Sequence, residues 1–147
     1  MNYDIIIIGG GCAGMSAAVY AASRNKQVLI LEKEADMGGT MNHISTITHF
    51  LGANMQENGR DLAARMKIQL DYANITVKQE TVTGIKCEND TRVVITEKHQ
   101  YHAARVIISA GTTQREAEFA AENPKLKKYT SHYAADDGVH YSGRTVV

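Results

Sequence analysis

Three glycines near the N-terminus have the spacing of a phosphate-binding turn. Gly9, Gly11 and Gly14 form the pattern G-x-G-x-x-G directly after the apolar run Ile5–Ile8. Glycines in this pattern allow a tight turn and a close backbone approach, and the N–H groups of the helix that follows can bind a pyrophosphate. The spacing alone is weak evidence, but its position between a strand and a helix strengthens it. The turn therefore predicts a dinucleotide site.

An acidic residue stands where the ribose of such a ligand is expected. Glu32 lies 18 residues beyond Gly14, close to the roughly 20 expected for a residue that accepts ribose hydroxyl groups. Because a carboxylate repels a 2′-phosphate, the adenosine should belong to FAD or NAD and not to NADP. A glycine-rich turn with an unrelated surface Glu is the alternative, and it requires strand, turn, helix, strand and acid to coincide by chance.

The elements that position these residues form a strand–helix–strand unit. A buried strand from about Tyr3 to Ile8 leads into an alanine-rich helix from Gly11 to Ser23, and a second buried strand runs from Val28 to Leu31. A right-handed crossover makes these strands parallel. A long polar loop and a helix from about Asn58 to Ala73 follow.

The chain then changes to a period of two, which indicates an antiparallel meander. Ile75–Val77 is expected to be a strand. The meander is expected to consist of Thr81–Cys87, Arg92–Thr96 and Gln100–Ala103, and a separate buried strand should follow at Arg105–Ser109. A meander at this point favours FAD over NAD, because NAD dehydrogenases usually continue with alternating strands and helices. We therefore predict an α/β fold in which a parallel sheet is joined to an antiparallel β-meander, an arrangement that resembles the Rossmann-like FAD-binding (two-dinucleotide-binding) fold.

Composition limits the partners and the compartment. The net charge of the 147 residues is zero, which gives no indication of nucleic acid or anionic lipid as a partner, and the two cysteines form no secreted-type framework. No signal peptide or membrane span is expected, so the predicted location is the cytoplasm. No carboxylate or cysteine stands at ligand spacing from His43 or His49 in the sequence, and no metal site is predicted. Cys12 is interpreted as a small packing residue beside the phosphates.

In these motifs the chain resembles the thioredoxin reductase branch of the FAD-dependent pyridine nucleotide-disulfide oxidoreductases. Tyr3–Gly14 is similar to the opening of that family, and Gly38-Gly39-Thr40 resembles its Gly-Gly-Gln beside the flavin. Thr48–Gly52 resembles Glu-Asn-Phe-Pro-Gly, and Ile107–Gly111 is similar to the strand that ends Ala-Thr-Gly.

The resemblance implies a set of FAD-binding residues. His49 replaces an asparagine that contacts the isoalloxazine, and Val82 falls where backbone atoms meet the adenine. The full implied set is Gly9, Gly11, Cys12, Ala13, Gly14, Glu32, Lys33, Gly38, Gly39, Thr40, His49, Val82, Ala110 and Gly111.

Two departures limit what the resemblance implies. The redox-active Cys-x-x-Cys of the family should precede Asp137-Gly138, but Tyr133–Gly138 contains no cysteine. A dithiol relay is therefore not expected. The NADPH-binding unit of the family would start near Thr145, so we expect residues 1–115 to be the N-terminal segment of an FAD-binding domain. Residues 116–147 would be a connection and the start of a truncated NAD(P)-binding domain.

The resulting hypothesis is the FAD-binding part of a flavoprotein oxidoreductase. Electrons would pass from NAD(P)H through the flavin to an acceptor such as a redox protein, and the fragment alone would not turn over. NAD(P)H would bind only with the missing second domain, and no catalytic residue is assigned. A non-catalytic nucleotide-binding module, or one half of a split flavoenzyme, is the alternative. An NAD-dependent dehydrogenase is disfavoured by the meander. A homodimer or a complementary subunit also stays open.

Overall fold

The computed structural model describes residues 2–113, Lys125 and 138–145. Six strands and two α-helices make up most of this part of the chain. They are β1 (Asn2–Ile8), α1 (Cys12–Ser23), β2 (Val28–Glu32), α2 (Gly59–Tyr72), β3 (Thr76–Gln79), β4 (Val82–Glu88), β5 (Thr91–Thr96) and β6 (Gln100–Ile108). Two short 3-10 helices lie at Gly39–His43 and Gly138–Tyr141.

The six strands form one sheet in the order β3-β2-β1-β6-β5-β4. Strands β3, β2, β1 and β6 are parallel, whereas β5 and β4 continue the sheet in antiparallel fashion. The predicted combination of a parallel sheet and an antiparallel meander is confirmed. Ile8 pairs with Leu31 on one side and with Ile108 on the other, so the carboxyl ends of these three strands meet at one edge of the sheet.

The central isoleucines of β1 are buried because both faces of the strand are covered. Ile7 packs with Met15 and Ile30 beneath α1 and α2, while Ile6 packs on the opposite face with Val94 and Tyr101 of the meander. Ile6 and Ile7 have no exposed surface. A strand covered on both faces needs apolar residues at every position, and this explains why the sequence does not alternate.

One predicted boundary is wrong. Gln100–Ala103 and Arg105–Ser109 were expected to be separate strands, but the structure joins them in the single strand β6. Ala103 pairs with Arg92 of β5 on one side and with Tyr3 of β1 on the other. The same strand can therefore end the meander and begin the parallel sheet, and Ala104 provides no break between them.

An ion pair with a buried carboxylate holds the loop before α2 in place. Two nitrogens of Arg65 donate to the two carboxylate oxygens of Glu57 at 2.7 and 2.8 Å, and the N–H of Asn54 donates to the same carboxylate at 2.8 Å. The hydrogen bond from Arg65 outweighs burial and lowers the pKa of Glu57. Asn58 then caps α2 by accepting from the N–H of Asp61 at 2.9 Å.

No helix in the described ranges is long and apolar enough to cross a bilayer. Two predictions concern residues outside the described ranges. One is the domain division between residues 115 and 116, and the other is the place of the family's Cys-x-x-Cys, at 133–137. Both stay predictions.

Candidate dinucleotide-binding site

A cleft of about 860 Å³ opens at the carboxyl ends of β1, β2 and β6. This is the edge of an open parallel sheet at which ligands of α/β proteins usually bind. Its walls are the glycine turn before α1, the loop after β2, the residues after β6 and one side of α2. The predicted residues that line it are Gly9, Gly11, Cys12, Ala13, Glu32, Lys33, Gly38, Gly39, Thr40, Ala110 and Gly111.

The outer glycines of the turn allow α1 to approach the sheet. Gly9 has φ +103°, which a residue with a side chain rarely adopts. A Cβ at Gly14 would overlap the carbonyl oxygen of Gly9 and lie 2.7 Å from Ser109 Oγ. The Ser109 hydroxyl contacts the carbonyl oxygens of Ile8 and Gly9 at 3.0 Å each. Gly14 is therefore a packing residue beneath the cleft, and it does not line the cleft.

Gly11 has the opposite environment. A Cβ at this position would find its nearest neighbour, the carbonyl oxygen of Gly38, at 3.9 Å. The space beside Gly11 is therefore open to the cleft. Gly11 is also the N-cap of α1 and has no side chain to bind the first N–H groups of the helix. Those groups lack partners within the helix and carry partial positive charge, so the turn fits a pyrophosphate.

The second glycine pair lies against the first turn. The N–H of Gly38 donates to the carbonyl oxygen of Gly10 at 2.9 Å, and Gly38 forms an isolated bridge with Gly11. Gly38 has φ +118°, and Asn42 occupies the place of its missing side chain. The Asn42 amide also donates to the carbonyl oxygen of Met37 at 3.0 Å. Two motifs distant in sequence thus form adjacent walls of one site.

The Glu32 carboxylate is held at the rim by two backbone groups. Its Oε2 accepts from the N–H of Gly10 at 2.6 Å, and its Oε1 accepts from the N–H of Glu34 at 2.9 Å. A carboxylate oxygen can accept more than one hydrogen bond, so each oxygen retains capacity for a ribose hydroxyl group. The link to Gly10 also fixes the distance between the acid and the glycine turn.

Gly14, His49 and Val82 are the predicted residues that do not line the cleft. His49 is exposed, and its Nδ1 lies 2.6 Å from Thr48 Oγ1. The half-buried Val82 packs its side chain on the meander side of the sheet. Contacts of His49 with a flavin and of Val82 with an adenine stay predictions.

Four further residues of the cleft were not predicted from the sequence. Arg60 and Lys67 bring positive charge from α2, and Asn42 and Ser109 brace the glycines. The motif around Ser109 did indicate the end of a strand at the site, although not the role of its hydroxyl. No sequence pattern connects α2 with the glycine turn, because only tertiary packing brings them together.

A metal centre has no support in the described ranges. No group of three or more His, Cys, Asp or Glu side chains in 2–113 or 138–145 could hold a metal ion. Both cysteines, Cys12 and Cys87, are free and exposed. Only Cys12 lies in the cleft.

A parallel sheet with a glycine turn between β1 and α1 defines the Rossmann-like class of α/β proteins. Within this class, residues 3–145 match the family model described as pyridine nucleotide-disulphide oxidoreductase. The chain belongs to this family.

Individual relatives agree with the family match. The chain is 31% identical over 146 residues to thioredoxin reductase of Treponema pallidum, which covers 99% of this chain and 47% of the relative. It is 32% identical over 154 residues to ferredoxin–NADP reductase 2 of Listeria monocytogenes, covering 98% of this chain and 45% of that one. The crystal structure of Lactococcus lactis thioredoxin reductase superposes with a TM-score of 0.82, at 30% identity over 95% of this chain and 45% of the other. The chain thus spans about half the length of the relatives it matches.

Proposed function

We propose that this chain binds FAD and forms the part of a flavoprotein reductase that holds the adenosine and pyrophosphate of the cofactor. The observation that carries the proposal is the open space beside Gly11, between the N-terminus of α1 and the Glu32 carboxylate. The pyrophosphate would lie on the N–H groups of Cys12 and Ala13. Glu32 would accept from the ribose hydroxyl groups, as its two backbone donors leave capacity on both oxygens.

The reaction proposed for the intact protein follows from its relatives and from the sequence. FAD, when bound, supplies two-electron chemistry between a nicotinamide and an acceptor. The relatives named above are a thioredoxin reductase and a ferredoxin–NADP reductase. Cys12 and Cys87 are the only cysteines of this chain, so it has no Cys-x-x-Cys. We therefore propose that the electron acceptor is a redox protein and that no dithiol of this chain relays electrons to it. We also propose a cytoplasmic location, because the sequence gives no indication of a signal peptide or of a secreted-type cysteine framework.

A non-catalytic nucleotide-binding module, or one half of a split flavoenzyme, is the second candidate. It is favoured by the composition of the cleft, whose lining includes the adenosine-side acid and the glycine turn but not His49. Oxidation of NADH or NADPH by the purified chain, with FAD and an artificial electron acceptor, separates the two functions. Steady turnover would exclude the module, whereas FAD binding without turnover would support it.

The cysteines provide a test of where FAD binds. At an FAD concentration ten times the Kd, we expect alkylation of Cys12 by iodoacetamide to slow by about tenfold, because only the unoccupied fraction reacts. Cys87 lies outside the cleft and is equally free, so its rate should not change. Mass spectrometry of the two cysteine peptides over time gives both rates. Equal protection of both thiols, or of neither, would contradict binding in this cleft.

A further inference from the structure

A buried carboxylate lies behind the cleft, at the end of β3. Glu80 is 8% exposed. Its Oε2 accepts from the hydroxyl of Thr96 at 2.7 Å, and its Oε1 accepts from the hydroxyl of Tyr101 at 2.8 Å. The Nδ1 of His99 lies 3.0 Å from the same Oε1. A buried carboxylate requires such partners, and this one is fully supplied with them.

The partners of Glu80 come from the antiparallel part of the sheet. Thr96 ends β5, Tyr101 lies in β6 and His99 stands between these strands. Burial raises the pKa of Glu80, but the three hydrogen bonds together outweigh burial and lower it. Lys78 adds a cation to the network, since its Nζ donates to the Tyr101 hydroxyl at 3.1 Å. Glu80 therefore ties the end of β3 to the meander as a carboxylate.

The backbone of the same residue bonds to Glu32, which lines the cofactor cleft. The N–H of Glu80 donates to the carbonyl oxygen of Glu32 at 2.9 Å, immediately beyond the pair formed by Glu32 and Gln79. A second backbone bond, from the N–H of Glu97 to the carbonyl oxygen of Thr81 at 3.2 Å, holds the next residue to the meander. The carbonyl group of Glu32 is thus held by the segment Glu80–Thr81, and the hydrogen bonds of the Glu80 carboxylate anchor this segment to the meander.

We propose that Glu80 is a positioning residue for the adenosine half of the cofactor. Its carboxylate holds the turn between β3 and β4 against the end of β2, and so sets the position of the Glu32 carboxylate relative to the glycine turn. The inference rests on the proposed function, because it concerns the same site. It adds a residue that does not line the cleft and acts through its bond to Glu32.

The test compares Glu80→Ala with Glu88→Ala in the full chain. Glu88 ends β4, is exposed and lies outside the cleft, so it is a matched control. Both variants are titrated with FAD and with ADP, which has the adenosine and the diphosphate but no flavin. The temperature is one at which circular dichroism shows every variant to be folded. We expect Glu80→Ala to weaken both ligands by about tenfold, the size expected when a hydrogen bond to a charged group is misplaced.

Two further variants separate positioning from stability. Glu80→Gln retains an acceptor oxygen and should recover part of the affinity, while Tyr101→Phe removes one donor and should weaken both ligands by a few-fold. If Glu80→Ala does not fold, the affinities of Glu80→Gln and Tyr101→Phe for FAD and ADP test the inference in its place. A purely structural role would lower Tm and leave the Kd values of the folded variants within twofold of wild type, and this result would overturn the inference. Failure of the wild-type chain to bind FAD and ADP would instead refute the proposed function.

Discussion

Replacing Gly14 with alanine should strongly destabilise the fold, because the added methyl group has no room between α1 and the sheet. The new Cβ would overlap the carbonyl oxygen of Gly9 and lie 2.7 Å from Ser109 Oγ. The first of these is a backbone atom at the end of β1, so α1 must move away from the sheet. That movement loosens the packing of Met15 and Ala18, which are fully buried. We expect a loss of about 3 kcal/mol in the free energy of unfolding, the upper end for overpacked cores.

Urea denaturation followed by circular dichroism measures this loss. Gly11→Ala is the matched control, since it adds the same methyl group three residues earlier, where the nearest atom is 3.9 Å away. Its cost should stay below about 1 kcal/mol, the difference between glycine and alanine at an N-cap. Equal stability of Gly14→Ala and the wild-type chain would contradict the close packing of α1 on β1.

Gly11→Ala, the control for stability, should itself lose affinity for FAD. Gly11 borders the cleft, and its methyl group would fill the space proposed for the pyrophosphate. We expect Gly11→Ala to lower the affinity for FAD by about 100-fold, equivalent to about 2.7 kcal/mol. The cause is steric, so the loss should be as large for ADP, which contains the same diphosphate.

Titration with FAD and ADP measures the effect, and Gly138→Ala is its control. Gly138 is exposed and lies outside the cleft, and a methyl group added to it would have no atom of the described residues within 4 Å. Its substitution should leave the Kd unchanged. Wild-type affinity of a folded Gly11→Ala variant would show that the phosphates lie elsewhere.

The first strand–helix–strand unit could be predicted because its signals are local. The apolar run Ile5–Ile8, the three glycines and Glu32 follow each other within one short segment, and each matches its neighbours in structural type. The structure shows how the spacing works. Gly9 and Gly14 meet each other and Ser109, whereas Gly11 faces the open cleft.

What could not be predicted depends on contacts between distant segments. The continuity of β6 arises because Ala103 pairs with strands on both sides, and no local residue type marks this. The approach of Arg60 and Lys67 to the glycine turn depends on how α2 packs beside α1. Similarly, Glu80 appears in the sequence as an ordinary polar residue between two strands, and only the fold reveals its buried network.

The resemblance to a family supplied positions that local patterns could not. Gly38 was included in the site for this reason, and the structure places it against Gly11. The same resemblance included His49, which lies outside the cleft. The loop that carries His49 is anchored through Glu57 and Arg65, so its position here is set by the chain's own contacts.

Titration of FAD with the purified 147-residue chain, followed by flavin fluorescence, tests the proposed function most directly. We expect a saturable change in fluorescence with one FAD bound per chain, reversed by an excess of ADP, because both ligands would place a diphosphate on the N-terminus of α1. Glu32→Ala should weaken this binding through loss of the ribose acceptor. Unchanged fluorescence at saturating protein, or a change that ADP does not reverse, would contradict FAD binding through the glycine turn and Glu32.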